Sequence, residues 1–108
     1  MLTVISPAKT LDYETPPVTQ KTTQPQFLEH AASLIEDART MSANEIQSLM
    51  GVSRKIADIN HERFRNWETP FSLDNAKQSI LAFKGDVYTG LNAETLSSEQ
   101  LNFAQKHL

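Results

Sequence analysis

Between residues 42 and 66 the sequence spells two short amphipathic helices separated by one glycine, and this constrains the chain more than any other feature. Ser42-Ala43-Asn44-Glu45 matches a capping box: the serine oxygen takes an orphan amide and the glutamate reaches back to the cap. Ile46, Leu49 and Met50 then supply the apolar residues of a short helix. Gly51 stops it, as glycine does where the chain must turn left-handed. Ser53 caps the next helix, whose apolar face is Ile56, Ile59, Phe64 and Trp67. Ala57 is small, which lets the two helices approach, and Thr69-Pro70 ends the second one.

The stretch Leu49-Met50-Gly51-Val52-Ser53-Arg54-Lys55-Ile56-Ala57 is similar to a helix-hairpin-helix motif. The hairpin of that motif exposes amides at the start of its second helix, where the helix dipole also favours an anion. Val52 is the apolar residue expected to pack back between the helices, and Ser53 replaces the second glycine of the usual pattern. From Arg54 to Asn66 the basic residues are Arg54, Lys55, Arg63 and Arg65, against Asp58 and Glu62. Gly51, Val52, Ser53, Arg54 and Lys55 are therefore the candidate DNA-binding residues. Contacts of this kind read the backbone, so binding is expected to be sequence-independent and salt-sensitive. The competing reading is a plain helical corner with Arg54 and Lys55 solvated.

The rest of the chain divides more loosely. Leu2 to Ile5 reads as a short buried strand that stops at Ser6-Pro7. Residues 11 to 25 hold Pro16, Pro17, Pro25 and many threonines, an irregular extended segment. Phe27, Leu28, Ala31, Leu34, Ile35 and Ala38 recur at helical spacing. A helix start is expected near Ser72 or Asp74. Ser79 to Phe83 reads as a second buried strand, with a helix over Ala76 to Phe83 as the other option. Ser97-Ser98-Glu99-Gln100 caps a last helix carrying Leu101, Phe103, Ala104 and Leu108. The fold class read from this pattern is α+β, mixed, with short buried strands and several helices in a single domain over 1–108.

Bulk properties narrow the function classes. A formal charge of −3 argues against a whole-chain nucleic-acid binder, so any such surface must be local. Cysteine is absent, which removes disulfides and thiolate metal sites and is compatible with a reducing cytoplasm. No apolar run reaches the ~18 residues a membrane span needs. His30, His61 and His107 do not fall at a metal-ligand spacing, and no cofactor is expected.

Two loops carry further polar groups. Ser6, Lys9 and Thr10 follow the first expected strand, a common place for an anionic ligand. Lys84, just before Gly85, and Asp86, Tyr88 and Thr89, between Gly85 and Gly90, follow the second, and together the two loops offer a cleft. On that reading the protein is an enzyme acting on a small anionic or nucleotide-like substrate, with Lys9, Lys84, Asp86 and Tyr88 lining the pocket. The plainer reading is a pair of polar surface turns.

The strings Ile5-Ser6-Pro7-Ala8-Lys9-Thr10-Leu11-Asp12-Tyr13 and Ala82-Phe83-Lys84-Gly85-Asp86-Val87-Tyr88-Thr89-Gly90-Leu91 strongly resemble the YaaA family of bacterial peroxide-stress proteins. Ile59-Asn60 and Arg63-Phe64 also look like that family. The resemblance implies a mixed α/β fold with a basic cleft and a helix-hairpin-helix element. It implies a cytosolic role in limiting damage when peroxide and free iron threaten DNA, with duplex or branched DNA as partner. It also implies that this chain is the N-terminal portion of a longer protein.

Overall fold

The computed structural model describes all residues, 1–108. Helix accounts for 52% of them and strand or bridge for 2%, with no sheet. The helices are α1 (Leu28–Arg39), α2 (Ala43–Met50), α3 (Arg54–Asn66), α4 (Ser79–Ala82), α5 (Asp86–Leu91) and α6 (Ser98–His107), with a 3₁₀ turn at Ala93–Thr95. The chain forms two compact units, one of Gln24–Phe71 and one of Met1–Thr23 with Ser72–Leu108.

The unit Gln24–Phe71 is built from α1, α2 and α3. The Ser42 capping box is fully formed: Ser42 Oγ accepts from the Glu45 amide at 3.3 Å and Glu45 Oε2 from the Ser42 amide at 2.7 Å. These bonds to the ionised carboxylate hold the Glu45 carboxyl below its usual pKa. At the other end of α2, Gly51 is left-handed with φ 61° and ψ 46°. The Gln47 carbonyl there accepts from the Gly51 amide at 3.0 Å and the Val52 amide at 3.3 Å. Ser53 Oγ then takes the Ile56 amide at 3.3 Å and starts α3.

Helix α2 packs on α3. Their most buried apolar residues are Ile46, 1% exposed, and Ala57, 0% exposed. An eight-residue helix is too short to persist alone in water, so α2 exists because this face is covered. Buried Asn60 closes its own donor inside α3, bonding the Ile56 carbonyl at 2.8 Å. Trp67 follows the last turn of α3 and meets Phe71 edge-to-face at 5.4 Å. The open C-terminal carbonyls of α3 are covered by α1. Arg39 donates from Nε to the Phe64 carbonyl at 2.9 Å and from Nη2 to the Trp67 carbonyl at 2.5 Å.

The other unit corrects the expected fold class. Leu2–Ile5 is not a buried strand: Val4 is 88% exposed and no ladder forms. Its neighbour in space is α6, through one bond from the Thr3 amide to the His107 carbonyl at 2.6 Å. A strand is stable only with a partner, and this chain offers Leu2–Ile5 none. Ser79–Ala82 is helical rather than extended, with Phe83 amide bonded to the Ser79 carbonyl at 3.0 Å. Leucine and alanine favour that choice, and Ile80 is the one β-branched residue of the run. The single extended pairing is an isolated antiparallel bridge between Leu11 and Phe83. The α+β class with buried strands is therefore replaced by a helical fold.

The start expected near Ser72 is a single turn, closed by the Ala76 amide on the Ser72 carbonyl at 2.9 Å. The capping box of α6 forms as the sequence predicts, with the Gln100 amide on Ser97 Oγ at 3.2 Å and the Ser97 amide on Gln100 Oε1 at 2.8 Å. The core of this unit is small: Leu81, Ala82, Tyr88 and Ala93. No helix in the chain is long and apolar enough to cross a membrane.

Removing the Arg39 clamp leaves the carbonyls of Phe64 in α3 and of Trp67 at its cap without a charged donor. Arg39→Ala is expected to lower stability by about 1–2 kcal/mol, read from urea unfolding, with Arg39→Lys recovering only part. An unchanged unfolding midpoint in Arg39→Ala would show the clamp to be idle.

Candidate functional site

The bend between α2 and α3 is exposed at Gly51, Ser53, Arg54 and Lys55, and Val52 is half-buried. Its backbone donors divide into two groups. The Gly51 and Val52 amides are occupied by the Gln47 carbonyl. The amides of Ser53, Arg54 and Lys55, which open α3, have no acceptor within the chain. They belong to exposed residues at the positive end of a thirteen-residue helix.

The two cationic side chains differ. Arg54 is engaged: Nε donates to Asp58 Oδ1 at 2.8 Å and Nη1 to Asn44 Oδ1 at 2.6 Å. It remains 59% exposed, but its charge is offset by Asp58. Its bond to Asn44 also ties the start of α3 to α2. Lys55 is exposed and makes no ion pair. Of the five residues singled out at the bend, the free positive charge is therefore that of Lys55.

The second candidate group lies in the other unit, and the structure brings part of it together. Tyr88 is buried and its hydroxyl donates to the Ser6 carbonyl at 2.5 Å. The Tyr88 ring also meets Phe83 edge-to-face at 5.2 Å. The Lys84 amide donates to the Thr10 carbonyl at 3.1 Å. Lys84 Nζ lies 3.3 Å from Glu94 Oε1 and 3.8 Å from Asp12 Oδ2. Asp86 and Thr89 are exposed on α5, and Lys9 is exposed in the loop after Ser6.

Asp12 is the hub of this unit, and sequence reading gave it no role. Its Oδ1 accepts from the amides of Glu14 and Thr15, each at 3.0 Å. Its Oδ2 lies 3.9 Å from Lys77 Nζ, itself nearly buried at 7% exposed. Lys77 also donates to the carbonyls of Asp12 at 3.0 Å and Thr15 at 2.7 Å. The Thr15 hydrogen bonds, then Glu14 and the Lys77 charge, hold the Asp12 carboxyl well below the usual carboxylate range. Local spacing carries half of this: an aspartate two and three residues before free amides, ahead of Pro16-Pro17, is an Asx-turn signal. Lys77, 65 residues further on, has no local signal.

These features define a helical protein with open amide donors on a bend between two helices of one unit and an internally paired loop network in the other. A comparison with protein-family models makes this specific. The model described as peroxide stress protein YaaA matches residues 1–108, the whole chain. The chain belongs to that family, and its role is accordingly in peroxide stress.

Two predictions follow from this geometry. At Gly51 a Cβ would meet nothing within 4 Å, so the cost of a side chain there is that of the left-handed backbone alone. Gly51→Ala is expected to lose about 1 kcal/mol in chemical unfolding and Gly51→Asn less; equal stability of Gly51→Ala and wild type would contradict this. The depressed Asp12 pKa means that the folded state holds fewer protons than the unfolded one. That stability is present above the ordinary carboxylate pKa and is lost as pH falls through the folded value. The stability gap between wild type and Asp12→Asn should be widest near neutrality, begin to narrow below about pH 4 and go on narrowing as pH falls toward the folded value; a pH-independent gap would remove the ionised network.

Proposed function

We propose that this peroxide-stress protein limits iron-dependent damage in the cytoplasm by binding DNA at the α2–α3 bend. That bend acts as a helix-hairpin-helix holding one backbone phosphate. The observation that carries the reading is the set of three unsatisfied amides at Ser53, Arg54 and Lys55, exposed beside the unpaired ammonium of Lys55. A phosphate oxygen accepts from such amides and benefits from the helix dipole. Val52 and Gly51 shape the turn, and their own amides are spent within it. Arg54 acts mainly as a brace, through Asn44 and Asp58, and adds less charge than its position indicates.

Duplex or branched DNA both present phosphates at such a bend, and no base edge is read. The alternative is an enzyme cleft lined by Lys9, Lys84, Asp86 and Tyr88. It has less support, because the Tyr88 hydroxyl is taken by the Ser6 carbonyl and Lys84 is flanked by two carboxylates.

The test is a binding titration with mixed-sequence duplex DNA across a range of salt. Lys55→Ala should weaken binding equally for all sequences and reduce the slope of log K against log salt by about 1. Arg54→Ala should change that slope less. A Lys55→Ala protein with wild-type affinity and slope would refute the proposed contact.

A further inference from the structure

These 108 residues of a peroxide-stress protein hold no cysteine, so no thiol among them can meet peroxide. Its sulfur is carried by Met1, Met41 and Met50. Two of these bracket α2. Met41 precedes the Ser42 cap, and Ile46 is the fourth helical residue. Apolar side chains at those two positions pin the entry of a helix. Met50 is the last residue of α2 and directly precedes left-handed Gly51.

Burial separates the three methionines. Met1 is fully exposed, so a change in its polarity alters no packing. Met41 and Met50 are half-buried. A small neutral oxidant can reach a half-buried thioether, and the polar oxygen it adds is disfavoured in the part of the side chain held away from water. Helix α2 has little reserve against that change: it is eight residues long and Ile46 is its one fully buried large side chain.

We propose that Met41 and Met50 are sites of oxidation by hydrogen peroxide, and that their sulfoxides loosen α2 from α3. The sulfur lone pair attacks one peroxide oxygen, the O–O bond breaks and an S–O bond forms. The displaced oxygen leaves as water after proton transfer. Sulfur loses two electrons and the peroxide gains them. Any effect on phosphate binding rests on the nucleic-acid reading above, because the open amides follow the bend that α2 supports. The loosening itself does not rest on it.

The experiment treats the 108-residue chain with graded hydrogen peroxide, maps sulfoxides by peptide mass, and follows thermal unfolding by circular dichroism. Oxidation is expected at Met41 and Met50 as well as Met1, with the unfolding midpoint falling by about 5 °C. Enzymatic reduction of the sulfoxides should restore the midpoint. A Met41→Leu, Met50→Leu double variant should keep its midpoint while its Met1 is oxidised. Two results would overturn the proposal: Met41 and Met50 staying reduced at doses that convert Met1 completely, or full conversion of both with no change in midpoint. The readout is unfolding, so a chain that proved not to bind DNA would still pass or fail this test.

Discussion

The docking of α2 on α3, fixed by the left-handed turn at Gly51, is the constraint on which the Gln24–Phe71 unit depends. Neither its shortest helix nor its exposed bend exists without it. Burial of Ile46 and Ala57 supplies the apolar drive, and Gly51 supplies a backbone shape that other residues adopt only at a cost. Three hydrogen-bonding devices then hold the register: the Ser42–Glu45 box, the Gln47 carbonyl shared by two amides, and the bridge from Arg54 to Asn44. The same arrangement leaves the amides of Ser53 to Lys55 unpaired at the surface. Structure and proposed function share one cause, because the turn that reverses the chain also orients the open start of α3.

The other unit is organised differently. Its buried apolar core is small, and much of its order comes from polar side chains that grip backbone. Asp12 holds the turn at Glu14 and Thr15, Lys77 holds the carbonyls of Asp12 and Thr15, and Gln78 Nε2 reaches those of Thr19 and Lys21 at 3.0 and 2.9 Å. An irregular proline-rich segment satisfies few of its own polar groups, so long side chains from residues 77 and 78 do so instead. Of the loop groups that suggest a cleft, Lys84 approaches this network at Asp12 and the Tyr88 hydroxyl is held by the Ser6 carbonyl.

What could be read from the sequence follows from how local each determinant is. The caps at Ser42, Ser53 and Ser97 and the stop at Gly51 involve neighbours within a turn, and each forms as read. The periodic apolar face of α1 is equally local. Strand readings failed because strands are not local. Leu2–Ile5 has the composition of a buried strand, but its fate depends on a partner elsewhere. Ser79–Phe83 had both options open, and the helix-favouring leucine and alanine prevailed. At the bend, the residues were legible but their roles were not: Arg54 and Lys55 look alike in sequence, and only the placement of Asn44 separates brace from free charge. Asp12 with Lys77 stayed hidden for the same reason.

The central claim is that the opening amides of α3 receive a phosphate, and backbone amide NMR tests it most directly. During titration with a short DNA duplex, the resonances of Ser53, Arg54 and Lys55 should shift most and saturate together, while those of Gly51 and Val52, already bonded to Gln47, should move less. Unperturbed Ser53, Arg54 and Lys55 amides in a saturated complex would contradict the account.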